Sequence, residues 1–325
     1  MFFINTKLMG EIMSNKVKEV WDLILKGVSL NEIQQLYNFD CYTFSSILKS
    51  IKDSGFNLRS SYYDTGKIIV SPQKKLELYH QNKIRINLET NTLRTLFISD
   101  LHIGSIFERT ALLETVYDYA KSHDIHIIFN TGDVIENIYE DHLGELKNKT
   151  LESQVRKVLR VYPYDPNIVN FIVYGNHDYK SVLDSGFDIA RYLQQMRYDL
   201  VSLGYGTAEI LLNNDSIALV HNLKKMSTQP EIQQAVLTFK GHSHKSKNSI
   251  KENKIIYVPS LSEYRNTTYE YRPLVCFLDV EFVFVDKKIE RVNIKQLAII
   301  KKEIRLANEE ALVLRPNKKF HNFSN

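Results

Sequence analysis

The spacing of apolar residues changes near residue 90. Before that point, apolar side chains recur every three or four positions in residues 15–26, 30–37 and 42–53, which predicts three amphipathic helices. Ser29 and Glu32 form a capping-box pattern at the start of the second helix. After residue 93, short apolar runs typical of buried strands alternate with helical stretches. This order predicts a small helical module followed by an α/β domain.

The second and third predicted helices, with the tight turn between them, resemble a helix-turn-helix unit. Residues 59–70 alternate enough to form a hairpin or wing. Three short amphipathic helices also form many other small bundles, and residues 1–90 carry only 12 Lys and Arg against 9 Asp and Glu. Contact with nucleic acid and contact with a protein partner therefore both remain open. The exposed face of the third helix is expected to carry Tyr42, Thr43, Ser45, Ser46 and Lys49.

A polar stretch around Pro72 predicts the end of the helical module. The carboxyl end from residue 290 is expected to hold one short helix or strand and a basic tail. We therefore expect four parts, a helical module at 1–75, a linker or first strand at 76–92, the main domain at 93–285 and a C-terminal extension at 286–325.

Composition excludes several classes of protein. The net charge of +4 is too small to indicate a nucleic-acid partner by itself, and the absence of a run of about 18 apolar residues predicts no membrane span. Cys41 and Cys276 are too few for a disulfide framework or a cysteine zinc site, which favours a reducing, cytoplasmic location. The first residues do not form a secretory signal, and Met13 is as reasonable a start as Met1. The sequence does not indicate an oligomeric state.

Candidate chemistry begins where residues 96–98, a predicted buried strand, lead into Asp100 and His102. Alternate residues of an extended segment point the same way, so the two side chains can converge on a metal or act as a base. A second predicted strand, residues 125–129, leads into Asp133, where Gly132 permits a sharp turn. Each motif alone also fits an ordinary turn or a helix N-cap.

Three further motifs follow predicted strands. Residues 168–174 lead into Asn176, His177 and Asp178, which offer a neutral oxygen ligand, a proton donor and a carboxylate to orient that histidine. His221 follows residues 217–220, and it would be structural if it stood alone. His242 and His244 follow residues 237–240 with the same two-residue spacing as the first motif.

In order, these motifs read D-x-H, G-D-x-x-E, G-N-H-D, a single His and G-H-x-H. This succession resembles the calcineurin-like metallophosphoesterase superfamily over roughly residues 93–285. The resemblance implies a four-layer α/β/β/α sandwich of two mixed sheets, here with a small N-terminal helical, helix-turn-helix-like domain. Glu136 stands where many members carry Asp or Arg. That position is not usually a metal ligand, so the departure puts substrate choice rather than metal binding in doubt.

The resemblance also implies a two-metal site. Asp133 would bridge the two ions, and a water activated between them would attack phosphorus. His177 would protonate the leaving oxygen and Asp178 would orient His177. A mixed imidazole and carboxylate set suits Mn²⁺, our first expectation, and also Fe, Zn²⁺ or Ni²⁺. One ion would be held by Asp100, His102, Asp133 and His244, and the other by Asp133, Asn176, His221 and His242.

The substrate follows less directly. Residues 100–104, Asp-Leu-His-Ile-Gly, resemble the opening motif of DNA-repair nucleases of the Mre11 and SbcD type, although neither their coiled-coil arm nor their ATPase partner site is visible. Tyr264, Arg265 and Arg272 could stack bases and hold phosphates, or form a solvated β-edge. We therefore expect a DNA or RNA nuclease or phosphodiesterase.

Two alternatives remain open. One is a phosphatase or phosphodiesterase acting on a small nucleotide or a phosphoprotein, with the N-terminal module docking a partner. The other is a scaffold without catalysis, which the complete set of ligands argues against. Salt-sensitive DNA binding would favour the nuclease. Turnover of simple nucleotides without polynucleotide affinity would favour the first alternative.

Overall fold

A computed structural model describes residues 15–73, 82–221, 234–244, 254–263 and 274–315. Among them, no helix is long and apolar enough to cross a membrane. The helices are α1 (Asn15–Leu25), α2 (Leu30–Tyr37), α3 (Cys41–Asp53), α4 (Ala111–Ser122), α5 (Leu151–Val161), α6 (Asn176–Ser185) and α7 (Ile189–Met196), with a 3₁₀ helix at Glu140–Glu145.

The described strands form two mixed sheets, each with seven strands. The first sheet has the order β2-β1-β3-β8-β9-β10-β11 and the second has the order β7-β6-β5-β4-β12-β13-β14. Together with the helices, this confirms the predicted α/β sandwich. The strands are β1 (Asn57–Tyr63), β2 (Ile68–Gln73), β3 (Lys83–Asn87), β4 (Thr92–Ile98), β5 (Ile127–Asn130), β6 (Val169–Tyr174), β7 (Leu200–Tyr205), β8 (Thr207–Leu212), β9 (Asp215–Val220), β10 (Leu237–Lys240), β11 (Ile255–Tyr257), β12 (Cys276–Val285), β13 (Lys288–Ile300) and β14 (Glu303–Val313).

Aromatic side chains join the two sheets across the central core. Phe97 of β4 stacks on Phe239 of β10 with ring centroids 3.8 Å apart, and both side chains are fully buried. Phe129 of β5 lies against Phe97 and Phe171, which continues the contact along the second sheet. Such pairs add to the burial of large apolar surfaces. Phe97 and Phe239 each precede a predicted metal-binding motif by three residues, so this contact brings two motifs towards each other.

The other face of the second sheet is covered by helices. Apolar residues of α4, α5 and α7 pack with the outward side chains of β4 and β5 in a second buried cluster. Between β5 and β6 the 3₁₀ helix comes first, and α5 begins at Leu151, where Thr150 accepts a capping hydrogen bond from Ser153 N.

The N-terminal helices form as predicted, including the capping box of Ser29 and Glu32. The predicted hairpin also forms, but β1 pairs with β3, so the hairpin is part of the first sheet. Ser45 was expected on an exposed face and this is wrong. It is buried, and its hydroxyl accepts a hydrogen bond from Tyr198 N at 3.1 Å because α3 packs against α7.

The expectation for the carboxyl end is also wrong. In place of one short element, β13 and β14 run for 13 and 11 residues and pair with each other. Through β12, which lies antiparallel to β4, they extend the second sheet. Apolar residues of β13 join the central core, so burial holds these strands in place. The predicted division into four parts stays a prediction.

Candidate metal centre

Parallel strands place the motifs at one edge of the sandwich. β4, β5 and β6 are parallel neighbours in the second sheet, so the first three motifs leave the same edge. β9 and β10 are parallel neighbours in the first sheet and deliver the remaining histidines. Backbone hydrogen bonds from Asp100 N to Gly132 O (2.8 Å) and from His102 N to Asp133 O (3.0 Å) join the first two motifs.

The backbone turns left-handed at most of the predicted ligands. The φ angles are 54° at Asp100, 45° at His102, 52° at Asp133, 67° at His242 and 50° at His244. Asp100 and His102, and likewise His242 and His244, were predicted to point to one side of an extended chain. In the structure, tight turns past the strand ends bring the side chains of each pair together instead. Since residues other than Gly seldom adopt this conformation, its repetition marks a site that the surrounding fold holds under constraint.

The first predicted ligand group converges. His244 Nε2 lies 3.3 Å from Asp100 Oδ1 and 3.2 Å from His102 Nε2. His102 Nε2 lies 4.0 Å from Asp100 Oδ1 and 3.9 Å from Asp133 Oδ2. Ligand atoms around one ion at bond lengths of about 2.0–2.2 Å stand at similar separations from each other. Asp100, His102 and His244 can therefore share one ion, and Asp133 Oδ2 approaches this group through His102 Nε2.

The second group meets at the same carboxylate. Asp133 Oδ2 lies 2.9 Å from His221 Nε2, which lies 3.1 Å from Asn176 Oδ1. One donor atom each from Asp133, His221 and His242 lies within 4.8 Å of the others. Asp133 is thus placed between the two groups, as a bridging ligand requires.

In His102 and His221, Nδ1 forms a hydrogen bond outside the site, and Nε2 points towards the other candidate ligands. His102 Nδ1 donates to Glu136 Oε2 at 2.7 Å, and His221 Nδ1 donates to the Thr131 carbonyl at 2.7 Å. Each Nε2 therefore faces other acceptors, and in the absence of a metal ion only a proton on the ring can separate them, in line with the raised pKa of His221. Asp100 Oδ1 is also buried without a hydrogen-bond donor among the described residues. Buried acceptors that meet each other are unfavourable unless a cation lies between them, so these residues fit divalent metal ions.

Charges within the site shift the proton affinities. Burial opposes ionisation of Asp100, but the His244 ring outweighs it and lowers the pKa of Asp100 to about 2. Burial likewise opposes protonation of His221, yet the Asp133 carboxylate raises the pKa of His221 to about 9. Burial lowers the pKa of His102 and His242. A proton on His221 therefore competes with a metal ion for the same nitrogen.

His177 is held by the second motif. Its backbone N–H donates to Asp133 Oδ1 at 3.0 Å, and its Nδ1 donates to the Glu136 carbonyl at 2.6 Å. Its Nε2 lies 4.0 Å from Asp133 Oδ2, which directs it towards the shared carboxylate. Burial opposes protonation, but the charges of Asp133 and Glu136 raise the pKa of His177. The raised pKa keeps the ring protonated over a wider pH range, so that it holds a proton beside the shared carboxylate.

Asp178 was predicted to orient the ring of His177, but in the structure its carboxylate binds backbone N–H groups instead. The buried Asp178 carboxylate accepts hydrogen bonds from the backbone N–H groups of Val134 (3.1 Å), Ile135 (3.0 Å) and Gly175 (2.8 Å). It therefore clamps the second motif to the third. Burial and the nearby charge of Asp133 raise the pKa of Asp178 to about 7.

Three residues near the site were not recognised from the sequence as contacts. Glu136 was noted only as a departure that affects substrate choice, but its buried carboxylate fixes the ring of His102. The Tyr139 ring lies 4.8 Å from that of His177, centroid to centroid, and His142 Nδ1 lies 3.4 Å from Glu136 Oε1. Their position shortly after the second motif was the one available signal.

Two glycines permit close approach in the centre. A Cβ atom at Gly132, whose φ is +115°, would lie 2.4 Å from His221 Nδ1. A Cβ atom at Gly175 would lie 2.1 Å from Asp133 Oδ1. These positions need Gly because the ligand side chains occupy the space of a methyl group.

All seven predicted metal ligands and both predicted catalytic residues therefore lie in one place. The candidate substrate contacts Tyr264, Arg265 and Arg272 lie outside the described residues, as do Met13 and the expected basic tail from residue 316.

Comparison with known proteins identifies a family. The family model described as the calcineurin-like phosphoesterase superfamily domain matches residues 93–280. No curated protein matches the sequence.

Among solved structures, vacuolar protein sorting 29 from Cryptosporidium parvum is 13% identical with a TM-score of 0.41, over 69% of this chain and 100% of that one. The zinc complex of its namesake from Entamoeba histolytica is 12% identical with a TM-score of 0.40, over 69% and 100%. An archaeal phosphodiesterase is 12% identical with a TM-score of 0.37, over 68% and 100%.

Proposed function

Because this chain belongs to the calcineurin-like phosphoesterase superfamily, we propose that it hydrolyses phosphodiesters with two divalent metal ions. Membership makes the chain a hydrolase of phosphoesters. The dinuclear centre, the diester substrate and its chemical class are the parts that we propose.

The observation that carries the proposal is the meeting of inward-facing acceptors around Asp133. His102 Nε2 and His221 Nε2 approach its Oδ2 from the two ligand groups, at 3.9 Å and 2.9 Å. Their Nδ1 atoms are already used by Glu136 and by the Thr131 carbonyl. With Nδ1 already used, each Nε2 can meet the carboxylate only through a proton or a bound cation, and two such nitrogens around Asp133 suit two cations that share one carboxylate.

The residues present suit a simple hydrolytic chemistry. A pair of divalent ions, when bound, activates a water molecule and neutralises phosphate oxygens. His177 supplies the proton for the leaving oxygen from Nε2, while the Glu136 carbonyl holds Nδ1 and so fixes the ring. Asp178 keeps the loop that carries Asp133 against the start of α6. No residue of the chain needs to form a covalent intermediate.

The donor set supports a transition metal. Imidazole nitrogens together with carboxylate and amide oxygens suit Mn²⁺, and Fe, Zn²⁺ and Ni²⁺ also accept such ligands. Mg²⁺ and Ca²⁺ prefer oxygen ligands alone. We propose Mn²⁺ as the first ion to test.

A polynucleotide is the first substrate that we propose. Residues 100–104 keep the Asp-Leu-His-Ile-Gly context that resembles DNA-repair nucleases. One observation favours the alternative, a small nucleotide diester or a phosphoprotein. The Ser45 hydroxyl on α3 is used against Tyr198, and the Tyr42 hydroxyl donates to the Leu159 carbonyl, so part of the expected DNA-reading face contacts the protein itself.

Hydrolysis assays with added Mn²⁺ test both levels of the proposal. Wild type, His177→Ala and Asp133→Ala are compared on single-stranded DNA, duplex DNA, RNA and bis-p-nitrophenyl phosphate. His123→Ala is the matched control, because that exposed histidine stacks on Tyr119 away from the centre. We expect His177→Ala to lose about 10²–10⁴-fold in kcat while it still binds metal.

Each outcome has a distinct meaning. Loss of polynucleotide cleavage in both site variants, with the control fully active, supports a nuclease. Cleavage of only the small diester supports the phosphodiesterase and removes the polynucleotide. Unchanged activity in both site variants would refute the assignment of the centre.

A further inference from the structure

A second concave site lies away from the metal centre. A cleft of about 520 Å³ opens between α3, the β1–β2 hairpin, α7 and β7, and none of the predicted metal ligands lines it. Its volume falls within the range of pockets that bind small molecules, about 300–1,000 Å³. Its walls come from both the N-terminal segment and the α/β part of the chain.

The floor of the cleft is apolar. Leu48 of α3, Val70 of β2 and Val201 of β7 line it and are at most 7% exposed, and Leu58 of β1 is half-buried beside them. Tyr62 and Tyr198 add aromatic surface to the lining. The partly exposed Leu58, Tyr62 and Tyr198 offer the surface that a ring-containing body can cover, because contact removes both surfaces from water.

The rim carries positive charge from two helices. Lys52 on α3 and Arg191 on α7 line the cleft, and neither forms an ion pair with a carboxylate among the described residues. Lys49, by contrast, is already paired with Asp53 on the same helix. Nearby protein partly desolvates the Lys52 ammonium, which lowers the pKa of Lys52. An anionic group placed between Lys52 and Arg191 would be held by charge-assisted hydrogen bonds.

We propose that this cleft binds a small organic anion. One phosphate, carboxylate or sulfonate group contacts Lys52 and Arg191, and a ring-containing body lies against the partly exposed Leu58, Tyr62 and Tyr198. The size of the cleft, its accessible aromatic and apolar wall and the two cations on its rim together define this class of ligand. The site is independent of the proposed phosphodiesterase activity, because none of its residues belongs to the metal centre.

Anilinonaphthalene sulfonate is a suitable probe, since it joins one anionic group to an aromatic body and contains no phosphoester. Its fluorescence is titrated with the full chain in the presence of Mn²⁺. We expect saturable binding at one site, and we expect Lys52→Ala/Arg191→Ala to weaken it by about tenfold or more. Ser60→Trp, which places a large ring at an exposed position of the lining, should also block the probe.

The matched control is Lys301→Ala/Lys302→Ala, which removes two positive charges from the exposed turn between β13 and β14. It should bind the probe like wild type, and melting temperatures show that each variant is folded. The proposal is overturned if both cleft variants are folded and bind the probe as tightly as wild type. It is also overturned, in favour of a polynucleotide site, if single-stranded DNA displaces the probe and the Lys52→Ala/Arg191→Ala variant loses DNA binding.

Discussion

A methyl group on residue 175 would enter the metal centre directly. The Cβ atom of Gly175→Ala would lie 2.1 Å from Asp133 Oδ1, 2.7 Å from Asp133 N and 2.7 Å from His221 Nε2. Cβ atoms essentially never approach other heavy atoms closer than 3.0 Å, so the Asp133 carboxylate must move by about 1 Å. The backbone at Gly175 (φ −89°, ψ −167°) is open to Ala, and the effect is therefore steric.

The magnitude follows from overpacking in a closely packed site. Overpacking costs about 1–3 kcal/mol, which corresponds to roughly 5- to 150-fold weaker Mn²⁺ binding if the shared carboxylate absorbs the strain. Displacement of a reacting group by about 1 Å lowers kcat by roughly 100-fold. Isothermal titration calorimetry with Mn²⁺ measures the first effect, and hydrolysis of bis-p-nitrophenyl phosphate measures the second.

Gly144→Ala is the control, because its Cβ atom would meet nothing within 4 Å. It should bind Mn²⁺ and turn over substrate like wild type. If Gly175→Ala binds two Mn²⁺ ions with wild-type affinity, the reasoning about the shared carboxylate is refuted. Equal losses in the two variants would contradict it as well, since they would trace the effect to Gly replacement in general.

Three further predictions concern other contacts. Glu136→Gln leaves the His102 ring without its charged partner and should weaken Mn²⁺ binding about 10- to 100-fold; an unchanged affinity would contradict the orienting role. Because the pKa of His221 is raised to about 9, its ring must lose a proton before it can bind a metal ion. Mn²⁺ affinity should therefore rise about tenfold per pH unit up to about pH 9, and an affinity independent of pH in calorimetry would contradict this. Arg197→Met leaves the buried Asp199 carboxylate without its ion-pair partner and should lower the free energy of unfolding by about 3–5 kcal/mol, measured by thermal unfolding. The exposed Arg305→Met should cost about 0–1 kcal/mol, and similar values for both arginines would refute the role of burial.

Local sequence was enough to find the candidate ligands but not their geometry. A strand followed by Asp, His or Asn is visible within a few residues, and the order of the motifs pointed to the seven candidate ligands that the structure brings close together. The tight turns at Asp100 and His244 were not visible, because left-handed backbone is imposed by the loops that meet there. The clamp of Asp178 on Val134 and Ile135 was also missed, since it joins residues 44 and 43 positions apart.

Elements at the two ends of the chain also form as predicted locally but differ from prediction in their long-range contacts. The sequence predicted α3 but not the burial of Ser45, because amphipathic spacing does not reveal which neighbour covers a small polar residue. The length of β13 and β14 was not predicted, because these strands are stabilised by pairing with each other and, through β12, with the second sheet. The sequence also did not show that the β1–β2 hairpin joins the first sheet, because this depends on its pairing with β3.

The sequence by itself determined which residues are candidate ligands, which strands precede them and which family the chain belongs to, because these depend on residue type and short spacing. Only the tertiary structure decided that His102 Nε2 and His244 Nε2, 142 positions apart, stand 3.2 Å from each other. That distance depends on the packing of two sheets, in which Phe97 stacks on Phe239 just before the two motifs. Contacts between distant segments arise from the burial of surfaces that no local pattern encodes.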